Sequence, residues 1–391
     1  MLPALRLILC SVLVACLSAA AALAQNFDTR AQAAYVLDQT TGTILLEKNA
    51  DEPLPPASMS KLMTIYMAFE AVADGRLGIG EKLPVSSFAS SYGGSTMFLD
   101  TTDRVSVEDL LRGVIVLSGN DASAVLAEAI GGSEAEFARL MTERGKRMGL
   151  TNSTFVNSNG WPATGHRMSM RDLGILADRL ISDFPTYYPL FAEQSFAFDG
   201  RAPANSNNRN PLLKLNIGAD GLKTGHTQEA GYGLVGSAKQ GDRRIIFVIT
   251  GLNSEVERAE EAERIVNWAF RQFAQKDVVR AGSRIAEAEV WMGAQPTVGL
   301  TVEEDLSLLV PVLADDKLNA EVVYEGPLTA PITAGQTVGS LVITIEGLPE
   351  TTVPLVASAD VAEGGFETRL RVAAQVLMEK LSALRGADNP A

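Results

Sequence analysis

Thiols are almost absent from this sequence. Its only cysteines, Cys10 and Cys16, fall in the first stretch of the 391 residues, so the chain beyond them has no disulfide framework, no cysteine nucleophile and no thiolate metal site. Histidine is nearly as scarce. His166 and His226 are too far apart to form a local H-x-x-x-H ligand pair, and they leave a histidine-based triad little to choose from. Positive charge is short as well: 33 Lys and Arg against 47 Asp and Glu give a net charge of -14, which argues against a nucleic-acid partner. An acidic chain that takes an anionic substrate must meet it with a few local cations. There is no internal repeat or low-complexity tract.

What remains is apolar. Hydrophobic residues make up 46% of the chain, enough for a substantial core and more than one domain. The opening "MLPALRLILCSVLVACLSAAAALAQ" carries one charge, Arg6, then an apolar run, then small residues ending Ala22-Leu23-Ala24. That is the layout of a cleaved secretory signal, assigned to residues 1–24. Leu13-Val14-Ala15-Cys16 also resembles a lipoprotein cleavage box, but the apolar run continues past Cys16 into the A-x-A site and favours simple cleavage. The mature protein is thus expected outside the cytoplasm.

After the signal, "AAYVLDQTTGTILLEKNA" reads as a hairpin around Thr41-Gly42. Pro55 and Pro56 end it, and Ser58 is placed to lead a helix running to about Ala73. From about Val105 to Leu190 helical periodicity dominates, with Ser106 as an N-cap and a break near Ser118 or Asp121. The period then shortens. "ADGLKTGHT", "GYGLVGSAKQ" and "RRIIFVITGL" are strands, the last two joined through Gln240-Gly241-Asp242, and a helix over about 254–273 follows, with Val256, Ala259, Ala262, Ile265, Trp268 and Ala269 on one side. This order predicts an α+β domain over residues 25–276, an antiparallel five-stranded sheet flanked by helices with a helical insertion. Short strand-like runs with Gly and Pro turns predict a small all-β domain over 277–362, and 363–391 an amphipathic helix and tail, striped by Phe366, Leu370, Ala373, Leu377, Leu381 and Leu384. Charge interrupts that helix too often for it to span a bilayer.

The chemistry lies in "PPASMSKLMT". Ser58 and Lys61 stand one helical turn apart in an otherwise apolar run, so their side chains can touch. Desolvation drives a buried lysine toward its neutral form, and a neutral amine beside a hydroxyl is a general base next to its nucleophile, with no histidine needed. The ordinary alternative is a chance S-x-x-K whose lysine snorkels to water. Ser118-Gly119-Asn120 falls at a helix break, where both polar residues could simply be caps. Lys223-Thr224-Gly225 falls at a strand end, where Lys223 could be solvated, and Arg258 could be a helix-surface charge.

Taken in chain order, the three triplets match the S-x-x-K, S-D-N and K-T-G signature of class A β-lactamases and penicillin-binding proteins, with Gly119 at the middle of the second. With "GGSTMFL", "MGLTNSTFVNSNG" and "NSNNRNPLLK" added, the chain resembles, from about Ala33 to its tail, the low-molecular-mass penicillin-binding proteins that act as D-alanyl-D-alanine carboxypeptidases. The resemblance implies a β-lactamase/transpeptidase-like fold, a second domain, a membrane-associating tail helix, and no metal or organic cofactor. It implies that Ser58 attacks the carbonyl between two D-alanines of a peptidoglycan pentapeptide, and β-lactam antibiotics, while Lys61 takes its proton. Ser118 would relay protons, Asn120 would hold the substrate amide, and Lys223, Thr224 and Arg258 would face the terminal carboxylate, with a less defined part for Arg209. The backbone N–H groups of Ser58 and His226 would form the oxyanion hole, His226 acting through its backbone; His166 is expected to be structural or exposed. The stretch "NGWPATGHRMSMRDLGILADRL" lacks the E-x-x-L-N glutamate with which class A β-lactamases activate water, which implies a long-lived penicillin adduct. A D,D-endopeptidase of the same superfamily and a catalytically silent cell-wall binding protein are the rival readings.

Overall fold

The computed structural model describes residues 27–201, 205–312, 318–366, 368–370, 372–374 and 378. The expected signal, 1–24, and the tail beyond 378 lie outside the described residues. The chain divides into two compact units at Arg271/Gln272.

In the first unit, β1 (Ala33–Asp38) and β2 (Thr43–Lys48) form the expected hairpin. Asp38 closes it, its Oδ1 accepting from the Thr41 N–H at 3.0 Å, as turn aspartates do. After α1 (Lys61–Ala73) come a small ribbon of β3 (Lys82–Pro84) and β4 (Arg104–Ser106), then α2 (Val107–Arg112), α3 (Asn120–Gly131), α4 (Glu134–Arg147) and α5 (Met170–Asp183). Ser106, Ser133 and Ser169 each cap the helix that follows, accepting from a backbone N–H three residues on. The chain returns through β5 (Ala219–Thr227), β6 (Gly231–Gln240) and β7 (Arg243–Leu252), and α6 (Glu255–Gln272) closes the unit.

The five strands form one antiparallel sheet in the order β2-β1-β7-β6-β5. Both faces are covered, so the central strand β7 is apolar at every position over residues 245–249. Ala33, Tyr35, Leu222, Val235, Ile246 and Val248 join the core that includes α1 and α5. Their neighbours in sequence, such as Ala34, Val36, Leu234, Phe247 and Ile249, meet Ala262, Ile265, Val266 and Ala269 of α6 on the other face. Two expectations need correction. Val256 is exposed, and the buried positions near the start of α6 belong instead to Arg258 and Glu261. Ser58 does not lead an α-helix; it sits inside a 3-10 turn, Ala57–Ser60, that feeds α1.

The second unit is built on strands β8 (Phe273–Val279), β9 (Ala286–Trp291), β10 (Thr297–Thr301), β11 (Leu306–Pro311), β12 (Leu318–Val323), β13 (Leu328–Thr329), β14 (Thr337–Ile345) and β15 (Thr351–Ala357), with helical residues after 365. Six of them form a sheet in the order β12-β14-β15-β10-β9-β13, and β8 pairs with β11. Leu300, Leu341, Ile343 and Leu355 lie in its core. The unit starts before residue 277 because "FAQKDVV", which has no clear alternation of its own, is held as a strand by β11, from Phe273 opposite Pro311 to Val279 opposite Leu306. Of the expected tail stripe, Phe366, Leu370 and Ala373 are described, and all three are exposed.

Candidate active site

A 3-10 turn, two helix junctions and a sheet edge build the site. Pro56 is in the right-handed helical region, Ala57 in the left-handed one at φ 49°, and the chain then turns through Ser58 into α1. Lys61, the first residue of α1, is 0% exposed. Its Nζ lies 3.0 Å from Ser58 Oγ, 2.7 Å from Asn120 Oδ1 and 2.5 Å from the Asn159 carbonyl oxygen. Burial is the main force holding this amine well below its ordinary pKa; the Arg209 guanidinium adds to it, and Asp121 and Glu134 oppose it more weakly. A neutral amine has two N–H donors and one lone pair. The two amide oxygens at the shorter distances take the donors, which leaves the lone pair for the Ser58 hydroxyl proton. That is the arrangement of a general base on its nucleophile.

Asn159 is the residue that reading the sequence missed. Its loop is fixed from several sides: Asn157 Oδ1 accepts from Gly160 N at 2.8 Å, Ser158 Oγ donates to Glu134 Oε1 at 2.6 Å, and Thr64 Oγ1 donates to the Ser158 carbonyl at 2.6 Å. Gly160, at φ +79°, sits so close to the 3-10 turn that a Cβ there would lie 1.9 Å from the Ala57 carbonyl oxygen. The only trace of this in the sequence is "NSNG", a turn composition with no chemical label.

The second triplet follows a π-helical turn, Gly113–Leu117. Ser118 is left-handed at φ 61° and 1% exposed, and neither it nor Asn120 caps a helix through its side chain. Left-handed backbone at a non-glycine residue is a strained choice often found at functional sites. Ser118 Oγ accepts from Lys223 Nζ at 2.9 Å, while Asn120 Nδ2 donates to the Gly93 carbonyl at 2.8 Å. Ser118 thus pairs with the lysine of the third triplet, and Asn120 with that of the first.

The third triplet lies on β5, at the edge of the sheet. Its outer backbone groups have no ladder partner. Gly225 lets the 3-10 turn approach that edge: a Cβ there would be 2.9 Å from Met59 Cγ and 3.0 Å from the Pro56 carbonyl oxygen. Lys223 is 2% exposed and donates again to the Thr224 carbonyl at 3.1 Å. Burial lowers its pKa well below the ordinary value, and Arg209, Lys61 and Arg258 lower it further. Arg258 is buried under the Tyr232 ring at 5.8 Å, and its Nε has no hydrogen-bond partner among the described residues. The solvated-end reading of Lys223 and the surface reading of Arg258 therefore fail. Arg209 donates to Ser95 Oγ at 3.0 Å and to the Leu117 carbonyl at 2.9 Å. Thr224 is buried beside Lys223, while the His226 imidazole is exposed and stacks on Tyr232 at 3.8 Å. His166 is buried, with Nδ1 accepting from Val156 N at 3.2 Å. Burial lowers its pKa to about 4, aided by Lys61 and Arg167. No cluster of metal-ligating side chains occurs among the described residues.

Comparison with known proteins gives a consistent picture. Residues 19–254 match the family model described as D-alanyl-D-alanine carboxypeptidase, and residues 273–363 match the C-terminal domain of penicillin-binding protein 5. The D-alanyl-D-alanine carboxypeptidase DacC of Escherichia coli is 38% identical over 356 residues, 89% of this chain and 88% of the relative. DacF of Bacillus subtilis is 34% identical over 348 residues, 87% of this chain and 88% of its own. Among solved structures, penicillin-binding protein 5 from Haemophilus influenzae superposes with a TM-score of 0.76 at 32% identity, over 87% of this chain and 100% of that one.

Proposed function

The chain belongs to the serine-type D-alanyl-D-alanine carboxypeptidase family of penicillin-binding proteins, and from that premise we propose that it removes the terminal D-alanine from peptidoglycan pentapeptides through an acyl-enzyme on Ser58. The observation that carries this reading is the fully buried Lys61 amine 3.0 Å from Ser58 Oγ. Lys61 Nζ takes the hydroxyl proton as Oγ attacks the penultimate carbonyl. The oxyanion is met by the backbone N–H groups of Ser58 and His226. The peptide C–N bond breaks as the D-alanine amine takes a proton from Lys223 through Ser118; water then hydrolyses the ester, giving its proton back along that pair while Lys61 returns the serine proton to Ser58 Oγ.

The cationic end of the cleft selects the substrate. Lys223 directs two N–H donors at Ser118 and Thr224 and, once charged, has a third, and Arg258 holds an Nε without a hydrogen-bond partner among the described residues. An arriving carboxylate restores the charge of Lys223 and relieves the repulsion among neighbouring cations. Thr224 and Gly225 line the same edge, and Asn120 holds the substrate amide while orienting Lys61. β-Lactams enter as mimics of the same peptide end, and no glutamate of the E-x-x-L-N kind is present to speed deacylation.

The rest of the notional life of the protein follows from its ends. Export rests on residues 1–24, and contact with the membrane surface rests on the exposed Phe366, Leu370 and Met378. No helix among the described residues is long and apolar enough to cross a membrane. The deciding experiment is mass spectrometry of the penicillin adduct with the modified residue mapped. A stable adduct on Ser58, lost in Ser58→Ala, together with D-alanine release from pentapeptide by the wild type, is the expected result. An adduct elsewhere, or none, defeats the proposal.

A further inference from the structure

Two amide oxygens orient the Lys61 amine, Asn120 Oδ1 and the Asn159 carbonyl, and each depends on a loop. The Asn120 side chain is turned by residues 93–95: its Nδ2 donates to the Gly93 carbonyl and its backbone N–H to the Ser95 carbonyl, both at 2.8 Å. Asn159 lies in the second loop. Residues 92–95 and 156–161 have no helix or strand of their own, so other contacts must fix both oxygens against the amine.

Both loops end on one carboxylate. Glu134, the half-buried first residue of α4, accepts through Oε1 from Ser158 N at 3.1 Å and Ser158 Oγ at 2.6 Å, one residue before Asn159. Its Oε2 accepts from the Tyr92 hydroxyl, one residue before Gly93. Burial and the Glu134 carboxylate push the Tyr92 phenol above its ordinary pKa, so it stays a donor. The loops also meet each other. Tyr92 packs edge-on to Trp161 at 6.4 Å, and a Cβ on Gly94 would lie 3.1 Å from Trp161 Cζ3 and 3.3 Å from Asn120 Nδ2. An acidic residue at a helix start needs no partner beyond the dipole. Three donors from segments 42 and 24 residues away tie this one to the cleft.

Building on the carboxypeptidase reading, we propose that Glu134 is a positioning residue for the catalytic amine, one carboxylate anchoring both loops so that the oxygens of Asn120 and Asn159 hold the Lys61 lone pair toward Ser58. It touches neither substrate nor reacting atoms and acts through Ser158 and Tyr92. Its charge has a separate effect. Of the charged groups around Lys61, Arg209 favours the neutral amine and Lys223 repels the ammonium, whereas Asp121 and Glu134 favour the ammonium.

The test is penicillin acylation of the full-length protein, followed by stopped flow across pH. Glu134→Ala frees both loops and should lower the limiting rate about 10- to 100-fold, the scale of a slightly displaced catalytic group. The half-saturating penicillin concentration should stay within about twofold, because the carboxylate-binding end is untouched. Glu134→Gln keeps an oxygen for Ser158 and offers an amide that Tyr92 can meet by turning its hydroxyl. Most of the limiting rate should return, and with the charge gone the rise in rate should move to lower pH. Tyr92→Phe cuts one arm and should slow acylation about three- to tenfold. A Glu134→Ala rate within about twofold of wild type, a loss matched by an equal rise in half-saturating concentration, or a Glu134→Gln as slow as Glu134→Ala with its pH rise unmoved overturns the positioning role while the carboxypeptidase reading stands. Should Glu134→Ala fail to fold, wild-type rates and pH profiles in both Tyr92→Phe and Glu134→Gln overturn it equally. A wild type that forms no penicillin adduct overturns the carboxypeptidase reading and this role with it.

Discussion

The two units of this chain treat buried polarity in opposite ways. In the second, the only buried polar side chain among the described residues is Thr301, and the core is Leu, Ile, Val and Ala. The first buries Lys61, Lys223, Arg258, Asp38, Asp121, Asp172, Arg243 and Glu261. Removing a charge from water is costly unless it is paired or well hydrogen-bonded. Most of these obey the rule: Asp38 meets Arg243 at 2.5 Å, Asp121 accepts backbone N–H bonds from Met97 and Leu99, and Glu261 is bonded by Thr29 and Arg30. Lys61 and Lys223 break it, for neither is bonded by a carboxylate among the described residues. Packing alone sufficed to build the β unit, whereas the first unit buries two lysine amines without a carboxylate partner at one cleft, and a cost of that kind marks a site.

The contrast breaks most visibly at Lys61. A guanidinium cannot lose its proton in a protein, so Lys61→Arg removes the base and should slow penicillin acylation by about 10²–10⁴-fold. In the wild type the acylation rate rises with pH as Lys61 deprotonates, and because its pKa is depressed that rise comes well below the pH at which free lysine titrates. Stopped-flow acylation across pH measures both effects; a near-wild-type rate in Lys61→Arg removes Lys61 from the base role.

Next in size is a change on the other side of the comparison. Leu355 is 0% exposed in the β core, and Leu355→Ala should cost that unit about 2–5 kcal/mol. Urea unfolding should shift accordingly while the acylation rate holds within twofold. A matching loss of acylation would mean that the two units are not separable in the way their interiors suggest.

The smallest effect concerns His166, which is uncharged when folded and has a pKa of about 4 against 6.5 when free. Between those values the unfolded chain binds a proton that the folded one does not, so stability falls as pH drops from 6.5 and levels off below 4. The loss should reach about 3 kcal/mol, measured by urea titration at successive pH values, and should disappear in His166→Gln. A wild type and variant with the same pH slope would show that the imidazole is protonated in place.

Much of the site was legible before any fold was known, because catalysis here uses side chains clustered within short triplets. Ser58 with Lys61 and Lys223 with Thr224 are each set by local geometry, and the scarcity of histidine and cysteine pointed to an amine base. Asn159 was hidden because it acts through its main-chain carbonyl, which every residue possesses. Arg258 was marked only by resemblance, since its position on α6 allows either a solvated or a buried side chain. β8 was hidden for a related reason: "FAQKDVV" takes its strand state from β11 rather than from its own alternation.

The sequence alone determined the kinds of groups available, the α+β class of the first unit and the β character of the second, since periodicity, caps and turn residues act over a few positions. Only the tertiary structure decided that one lysine faces a hydroxyl and two amide oxygens while the other faces Ser118, and that Tyr92 of one loop and Ser158 of another meet on Glu134. Desolvation and contact between distant segments exist only once the chain has closed on itself, and those two effects turn ordinary residues into a reactive site.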